Sequence, residues 1–159
     1  MGEMGVAVDQ GVRFENVYRE HGPQLLRSVL LFTGDRELAN DAVAEAFAQA
    51  IRRGEQVHSA LPWITRVAFR VAAGELKDRR RIAYPIAERS YEMAEPAAEL
   101  VAALAQLSPK QRAAAVLHFR DGYTLAEVAE IIGSTTSAVG VHLNRARKRL
   151  RDILGDDDD

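Results

Sequence analysis

The chain has 159 residues, 47% of them apolar, with no cysteine and a formal net charge of −2. That length and apolar share suit one or two small domains with real cores and exclude a wholly disordered chain. The missing thiols exclude disulfides, Cys-ligated zinc and thiol catalysis; no run approaches the roughly 18 apolar residues of a membrane span, and the first residues lack the cationic start and apolar core of a signal peptide, which predicts a cytoplasmic protein.

Residues 1–12 carry Gly and Val without periodicity and are expected to be a disordered N-terminal segment. A helical pattern starts at Phe14 with Val17 and Tyr18 and resumes with Leu25, Leu26, Val29 and Leu30 after Gly22-Pro23, which is expected to break it; Thr33-Gly34 ends it. Asp35 can cap a second helix whose stripe is Leu38, Ala42, Val43, Ala46, Phe47, Ala50 and Ile51, with Asp41 and Glu45 on an adjoining face. After a polar loop, Gly54 to Ala60, Pro62 is placed to open a third helix. Its inner side is Trp63, Ile64, Val67, Ala68, Val71 and Leu76, and its cationic side and end are Arg66, Arg70, Lys77, Arg79, Arg80 and Arg81.

Residues 82–99 hold Pro85, Pro96, four glutamates and one arginine with irregular apolar spacing, and read as a linker. Leu100, Leu104 and Leu107 suggest a short helix leading into residues 107–154, which read as a helix-turn-helix that holds DNA. Ser108-Pro109-Lys110-Gln111 and Thr124-Leu125-Ala126-Glu127 each fit a capping box, and Gly133 can take the positive φ that stops a helix. Hydroxyls from Ser134 to Ser137 can cap a third helix with Val139, Leu143, Ala146 and Leu150 inside, and Arg145, Arg147, Lys148, Arg149 and Arg151 outside or flanking. In such a motif the early turns of the last helix meet base edges and its later cations lie near phosphates.

Charge divides along the chain in support of this reading. Residues 13–81 hold 12 Lys/Arg against 9 Asp/Glu, and 104–154 hold 8 against 4, whereas 1–12, 82–103 and 155–159 are acidic at −2, −3 and −4. Two basic bodies are thus separated and ended by acidic segments. The expected fold is all-α: two small helical domains, 13–81 and 100–154, each folding on its own, joined by a flexible linker and followed by an acidic tail at 155–159.

FENVYREHGPQLLRSVLLFTGDRELANDAVAEAFAQAIRR with LPWITRVAFRVAAGELKDRRR, and LSPKQRAAAVLHFRDGYTLAEVAEIIGS with HLNRARKRL, resemble the extracytoplasmic-function sigma factors of bacterial RNA polymerase, over nearly everything from Arg13 to Leu154. The resemblance implies a sigma region 2 domain and a sigma region 4 domain, with core RNA polymerase, promoter DNA and an anti-sigma factor as partners. It implies polymerase contacts at Asp41, Glu45 and Gln49, and capture of an unpaired −10 base by the loop 54–60 and the start of the third helix. Arg66, Arg70, Lys77, Arg79, Arg80 and Arg81 would hold phosphates beside the opening. For the −35 element it implies Thr135, Thr136, Ser137, Gly140 and His142 as readers, with Arg145, Lys148 and Arg149 as anchors. The chain departs from the family pattern at Arg70, where Asn is frequent, at Gly74, where an acidic residue is common, and at Ala138-Val139-Gly140-Val141-His142, which replaces a frequent Thr-Val-Lys-Ser-Arg run. Trp63 reads as core rather than as a stacking platform.

Chemistry by the chain itself has little to stand on. Glu55-Gln56-Val57-His58 has the spacing of a di-iron motif, but such sites need two copies on facing helices, and neither a Gly-rich phosphate loop nor a nucleophile elbow is present. The sequence therefore predicts no enzyme, no catalytic residue, no metal and no cofactor. Two other readings remain: a sigma-like decoy that binds an anti-sigma factor without starting transcription, and a stand-alone helix-turn-helix repressor.

Overall fold

The computed structural model describes residues 2–82 and 95–155, and the side chains of 9–79 and 97–155 within them. All of its elements are helical: α1 (Gly2–Thr33), α2 (Arg36–Arg53), a 3-10 turn at Gly54–Gln56, α3 (Ala60–Ile82), α4 (Glu95–Ala105), α5 (Pro109–Ala115) continued by a π-helix at Val116–Arg120, α6 (Leu125–Ile132) and α7 (Thr136–Leu154). No described helix is long and apolar enough to cross a membrane.

The helix ends follow local chemistry. Asp35 caps α2 by accepting from the Leu38 amide at 3.1 Å, both capping boxes form, and Gly133 closes α6 in the left-handed region at φ 68°. Thr135 caps α7 by accepting from the Ala138 amide at 3.1 Å. Most of the stripes expected inside α3 and α7 is buried, Ile64, Val67, Ala68 and Leu76 in one and Val139, Leu143 and Ala146 in the other, while Trp63, Val71 and Leu150 are half-buried against the core.

Several expectations are corrected. Residues 2–12 are helical rather than unstructured, since extending an existing helix adds one hydrogen bond per ordered residue without a new nucleus. The same helix runs through Gly22-Pro23. Pro23 is exposed and Gly22 seats the Tyr18 ring, while Phe14, Leu25 and Val29 are buried on either side, so packing carries the helix past the lost donor. α3 starts at Ala60, which leaves Pro62 in the first turn, where no amide has an intrahelical acceptor. Ile51, expected inside, is 60% exposed: at 100° per residue it is turned off the buried stripe, whose last member, Ala50, is fully buried in the same turn. α4 starts at Glu95, within the segment expected as linker. Residues 83–94 of that linker, and 156–159 of the acidic tail, lie outside the described residues.

α1, α2 and α3 pack as one three-helix body, and α4 to α7 as a second. The two meet along α3 with α6 and α1 with α4, and the buried side chains form one contiguous cluster from Phe14 to Ala146. The joint contains a buried charge. Arg112, 7% exposed, donates from Nη1 to the Phe32 carbonyl, from Nε to that of Leu104 and from Nη2 to those of Leu107 and Ala105, at 2.9, 2.9, 3.0 and 3.4 Å. These carbonyls lie at the C-terminal ends of α1 and α4, where the last turns have no intrahelical donors and carry partial negative charge. The guanidinium thus satisfies both helix ends at once, and also lies 5.8 Å from the Phe32 ring centre.

Candidate nucleic-acid interface

α7 is positioned by the short, sharply stopped α6. Its buried face (Val139, Leu143, Ala146) rests on α5 and α6. At 3.6 residues per turn the side opposite that face is Ser137, Val141, Asn144 and Lys148, all exposed, with Arg145 at its edge. Thr136 and Arg149 are exposed at the flanks. Arg147 lies over the exposed Phe119 ring at 5.3 Å, and Arg149 reaches Gln106 at 3.5 Å. The Thr135 hydroxyl is engaged in capping. A side chain at Gly140 would come no nearer than 4.0 Å to Leu125, so a larger residue fits there.

His142 sits differently from the other expected base readers. Its Nδ1 is buried without a hydrogen-bond partner, on the side near Lys110 of α5. Burial first, then the Lys110 and Arg145 charges, hold its pKa below the ordinary imidazole value, so it is neutral at neutral pH. Asn144 and Val141 were not singled out in the sequence, yet they lie on the outermost stripe. The available signal was angular: each is half a turn from a core position of the same helix. Asn is the side chain that pairs bidentately with adenine, and an apolar group suits the thymine methyl.

α3 presents Arg66, Arg70 and Lys77 at i, i+4 and i+11, one stripe of the helix. Arg70 and Lys77 are exposed, and Arg66 is half-buried with its Nε unpartnered. The stripe lines a cleft of about 560 Å³ whose floor includes Phe32, Phe69 and Leu76 and whose far wall is Lys110, Glu130 and Ile131. Arg79 departs from the expected phosphate-holding set: it pairs with Asp35, the cap of α2. Arg80 and Arg81 lie on the last turn of α3, outside the described side chains.

The loop before α3 is fixed at both ends. Gly54 takes φ 53°, Val57 is fully buried, and the His58 carbonyl accepts from Arg13 Nη2 at 2.8 Å. Trp63 is half-buried against the core, as expected. On α2, Asp41 is exposed, whereas Glu45 accepts from Gln49 Nε2 at 3.0 Å and Arg52 Nη2 at 3.1 Å. Those two bonds, Gln49 first, lower the Glu45 pKa from its ordinary value and keep it ionised. Asp41, Glu45 and Arg52 thus share one outward stripe, with Ile51 exposed beside it.

Comparison with known proteins finds two family models along the chain. The Sigma-70 region 2 family model matches residues 17–82, and the Sigma-70 region 4 model matches 97–150. The extracytoplasmic-function (ECF) RNA polymerase sigma factor SigM of Mycobacterium tuberculosis is 29% identical over 152 residues, covering 89% of this chain and 77% of its own. RNA polymerase sigma factor CarQ of Myxococcus xanthus is 27% identical over 156 residues, covering 90% of each. In fold, the chain is similar to the sigma factor RpoE of Bartonella quintana, solved with the anti-sigma factor NepR: TM-score 0.76, 19% identity, 91% of this chain and 98% of that one. It is also similar to CnrH, solved with the cytosolic domain of CnrY: TM-score 0.74, 20% identity, 95% and 93%.

Proposed function

The chain belongs to the ECF sigma factors, and from that membership we propose how its own residues divide the work. As a sigma factor it binds core RNA polymerase and directs it to promoters. α7 reads the −35 element with its outward stripe, Ser137, Val141 and Asn144, while Arg145, Lys148 and Arg149 anchor it to phosphates. Thr136 contributes from the flank. The Thr135 hydroxyl and the inward-turned His142 ring act by positioning the helix, and Gly140 leaves the early turns uncharged.

The N-terminal body, residues 13–81, opens and holds the −10 element. Extruding a base costs a few kcal/mol, which hydrogen bonds and stacking in a receiving pocket must return. The braced loop 54–60 offers fixed walls for such a pocket, and Arg66, Arg70 and Lys77 supply cations for the separated strand. Asp41, Glu45, Gln49 and the exposed Ile51 form the face that meets the polymerase. An anti-sigma factor is a further partner, a reading supported by the sigma factor RpoE, which shares this fold and was solved with one. The polymerase makes the RNA; the chain supplies recognition.

The observation that carries this reading is the outward stripe of α7, exposed at every position and flanked by cations, on a helix capped by Thr135 and packed on α5 and α6. Run-off transcription with core polymerase on a set of genomic promoters tests it. Promoter-dependent transcripts are expected. Duplex binding without polymerase and without transcripts would favour the repressor reading, and anti-sigma binding with neither would favour the decoy.

A further inference from the structure

The cleft of about 560 Å³ between α3 on one side and α5 and α6 on the other has the size and lining of a small-molecule site. Its floor is apolar and closed. Phe32, Phe69, Leu76, Ala113 and Ile131 line it and are each more than nine-tenths buried, with the Phe32 and Phe69 rings 5.1 Å apart between centres. Ala73 and Ile132, exposed and half-buried, bring further apolar surface within reach of solvent.

Four cations line the same cleft: Arg66, Arg70 and Lys77 from α3 and Lys110 from α5, with Glu130 as the facing carboxylate. Among the described residues none of the four is ion-paired, with Glu130 or with any other carboxylate. Arg66 and Arg70 stand one turn apart on α3, a like-charge spacing that destabilises a helix. Arg66 Nε is also buried without a hydrogen-bond partner. A donor enclosed without an acceptor costs free energy, and an oxyanion seated between the two guanidiniums would satisfy the donor and relieve the repulsion together. Walls that exclude water focus the field of the cations that line them, so an anion is drawn here more strongly than to an open basic face.

The two halves of the lining select a ligand. Inorganic phosphate would meet the cations and leave the apolar surface bare, whereas a neutral hydrocarbon would meet that surface and leave the charges unpaired. We propose that the cleft binds a small amphipathic carboxylate, with its head group on Arg66 and Arg70 and its acyl chain along the apolar lining from Phe69 to Ile132. Lys77 and Lys110 add attraction from the two sides, and Glu130 together with the apolar floor favours a monoanion with a hydrocarbon body over a polyphosphate.

Isothermal titration calorimetry of the full chain with dodecanoate, below the concentration at which it forms micelles, tests this. One equivalent should bind, and butyrate and dodecanol should each bind about tenfold more weakly or worse, since each lacks one half of the match. Arg66→Met and Arg70→Ala should each weaken dodecanoate about tenfold, and Ala73→Trp should block it by filling the cleft. Arg27→Ala removes an exposed cation of α1 outside the cleft and should change nothing. Circular dichroism checks that each variant keeps its helices. Butyrate binding as tightly as dodecanoate would overturn the amphipathic site, as would many equivalents bound. Equal losses in Arg27→Ala and Arg66→Met, or full binding in both Arg66→Met and Ala73→Trp, would place the ligand elsewhere and overturn it too. An acidic amphipathic peptide that binds where dodecanoate does not would give the cleft to a protein partner instead. The titrations need neither polymerase nor promoter, so a failed transcription test leaves them interpretable.

Discussion

α3 and α7 are the two basic amphipathic helices of this molecule, and they differ in what lies opposite their cations. α7 buries Val139, Leu143 and Ala146 within its own body and turns Ser137, Val141, Asn144 and Lys148 to solvent. α3 buries Ile64, Val67 and Leu76 in the same way, yet its stripe of Arg66, Arg70 and Lys77 faces the other body across a cleft. A basic helix pattern therefore tells which face of a helix carries cations; contacts made from the far end of the chain decide what lies opposite them.

The largest expected effect comes from removing the guanidinium that ties the two bodies. Arg112→Met strips donors from carbonyls at the ends of α1 and α4. It should cost about 3 kcal/mol and lower Tm by about 6–12 °C. A fall of under about 2 °C in thermal denaturation would mean that the α1–α4 joint does not depend on it.

A smaller break is available at the neighbouring turn. Gly34 has φ 69°, and a Cβ there would meet Val101 Cγ1 of α4 at 3.2 Å; Gly133 has φ 68° with nothing within 4 Å. Both Gly→Ala changes incur the left-handed strain of about 1–2 kcal/mol, but only Gly34→Ala should also loosen the two bodies. Denaturant midpoints for the pair, with pulsed dipolar distances between spin labels on cysteines introduced at exposed Asn40 of α2 and Ala126 of α6, separate strain from contact.

On the open helix, Lys148→Ala should weaken duplex binding by holoenzyme similarly at all promoters, with the log-log salt slope falling by about 0.9 for one lost phosphate contact. Lys77→Ala on α3 should not weaken duplex binding until the promoter opens. Titrations from low to high salt on closed and premelted templates check this contrast.

The smallest effect concerns His142, whose folded pKa lies below its unfolded value. Such a group favours the folded state while neutral, so its contribution is present above the ordinary imidazole pKa and is lost as pH falls through the lowered one. His142→Gln should flatten the acid-side slope of stability between pH 7 and 5 and leave the alkaline side unchanged, as urea titrations at several pH values would reveal.

The elements were legible where their causes are local. Ser108 with Gln111, Thr124 with Glu127, Asp35 and Gly133 each act within four residues, so spacing alone locates them. The joint was not legible, because Ser28 meets Asp121 across 93 positions and Arg112 meets Phe32 across 80. Nothing in the neighbourhood of Arg112 separates it from the exposed cations around it. Ile51 is apolar but sits past the edge of the buried stripe, beside the fully buried Ala50, so its side-chain type points inward where its angle does not. Asn144 lies half a turn from Ala146 and so on the outward stripe, a placement that periodicity carries although the charge of Arg145 beside it draws attention first. Gly22-Pro23 has the chemistry of a break, and only packing on both sides of it explains the uninterrupted helix.

The most direct test of the central claim, that α7 and α3 read different parts of one promoter, is transcription by holoenzyme from templates randomised at both the −35 and −10 elements, with the transcribed templates sequenced. Asn144→Ala should change the preferred −35 sequences by about 1–3 kcal/mol of discrimination at one position and leave the −10 preference intact. Arg70→Ala should do the reverse, altering the −10 preference or opening without touching the −35 element. If Asn144→Ala leaves the −35 preference unchanged, or if both variants shift the same element, the assignment of the two helices is wrong.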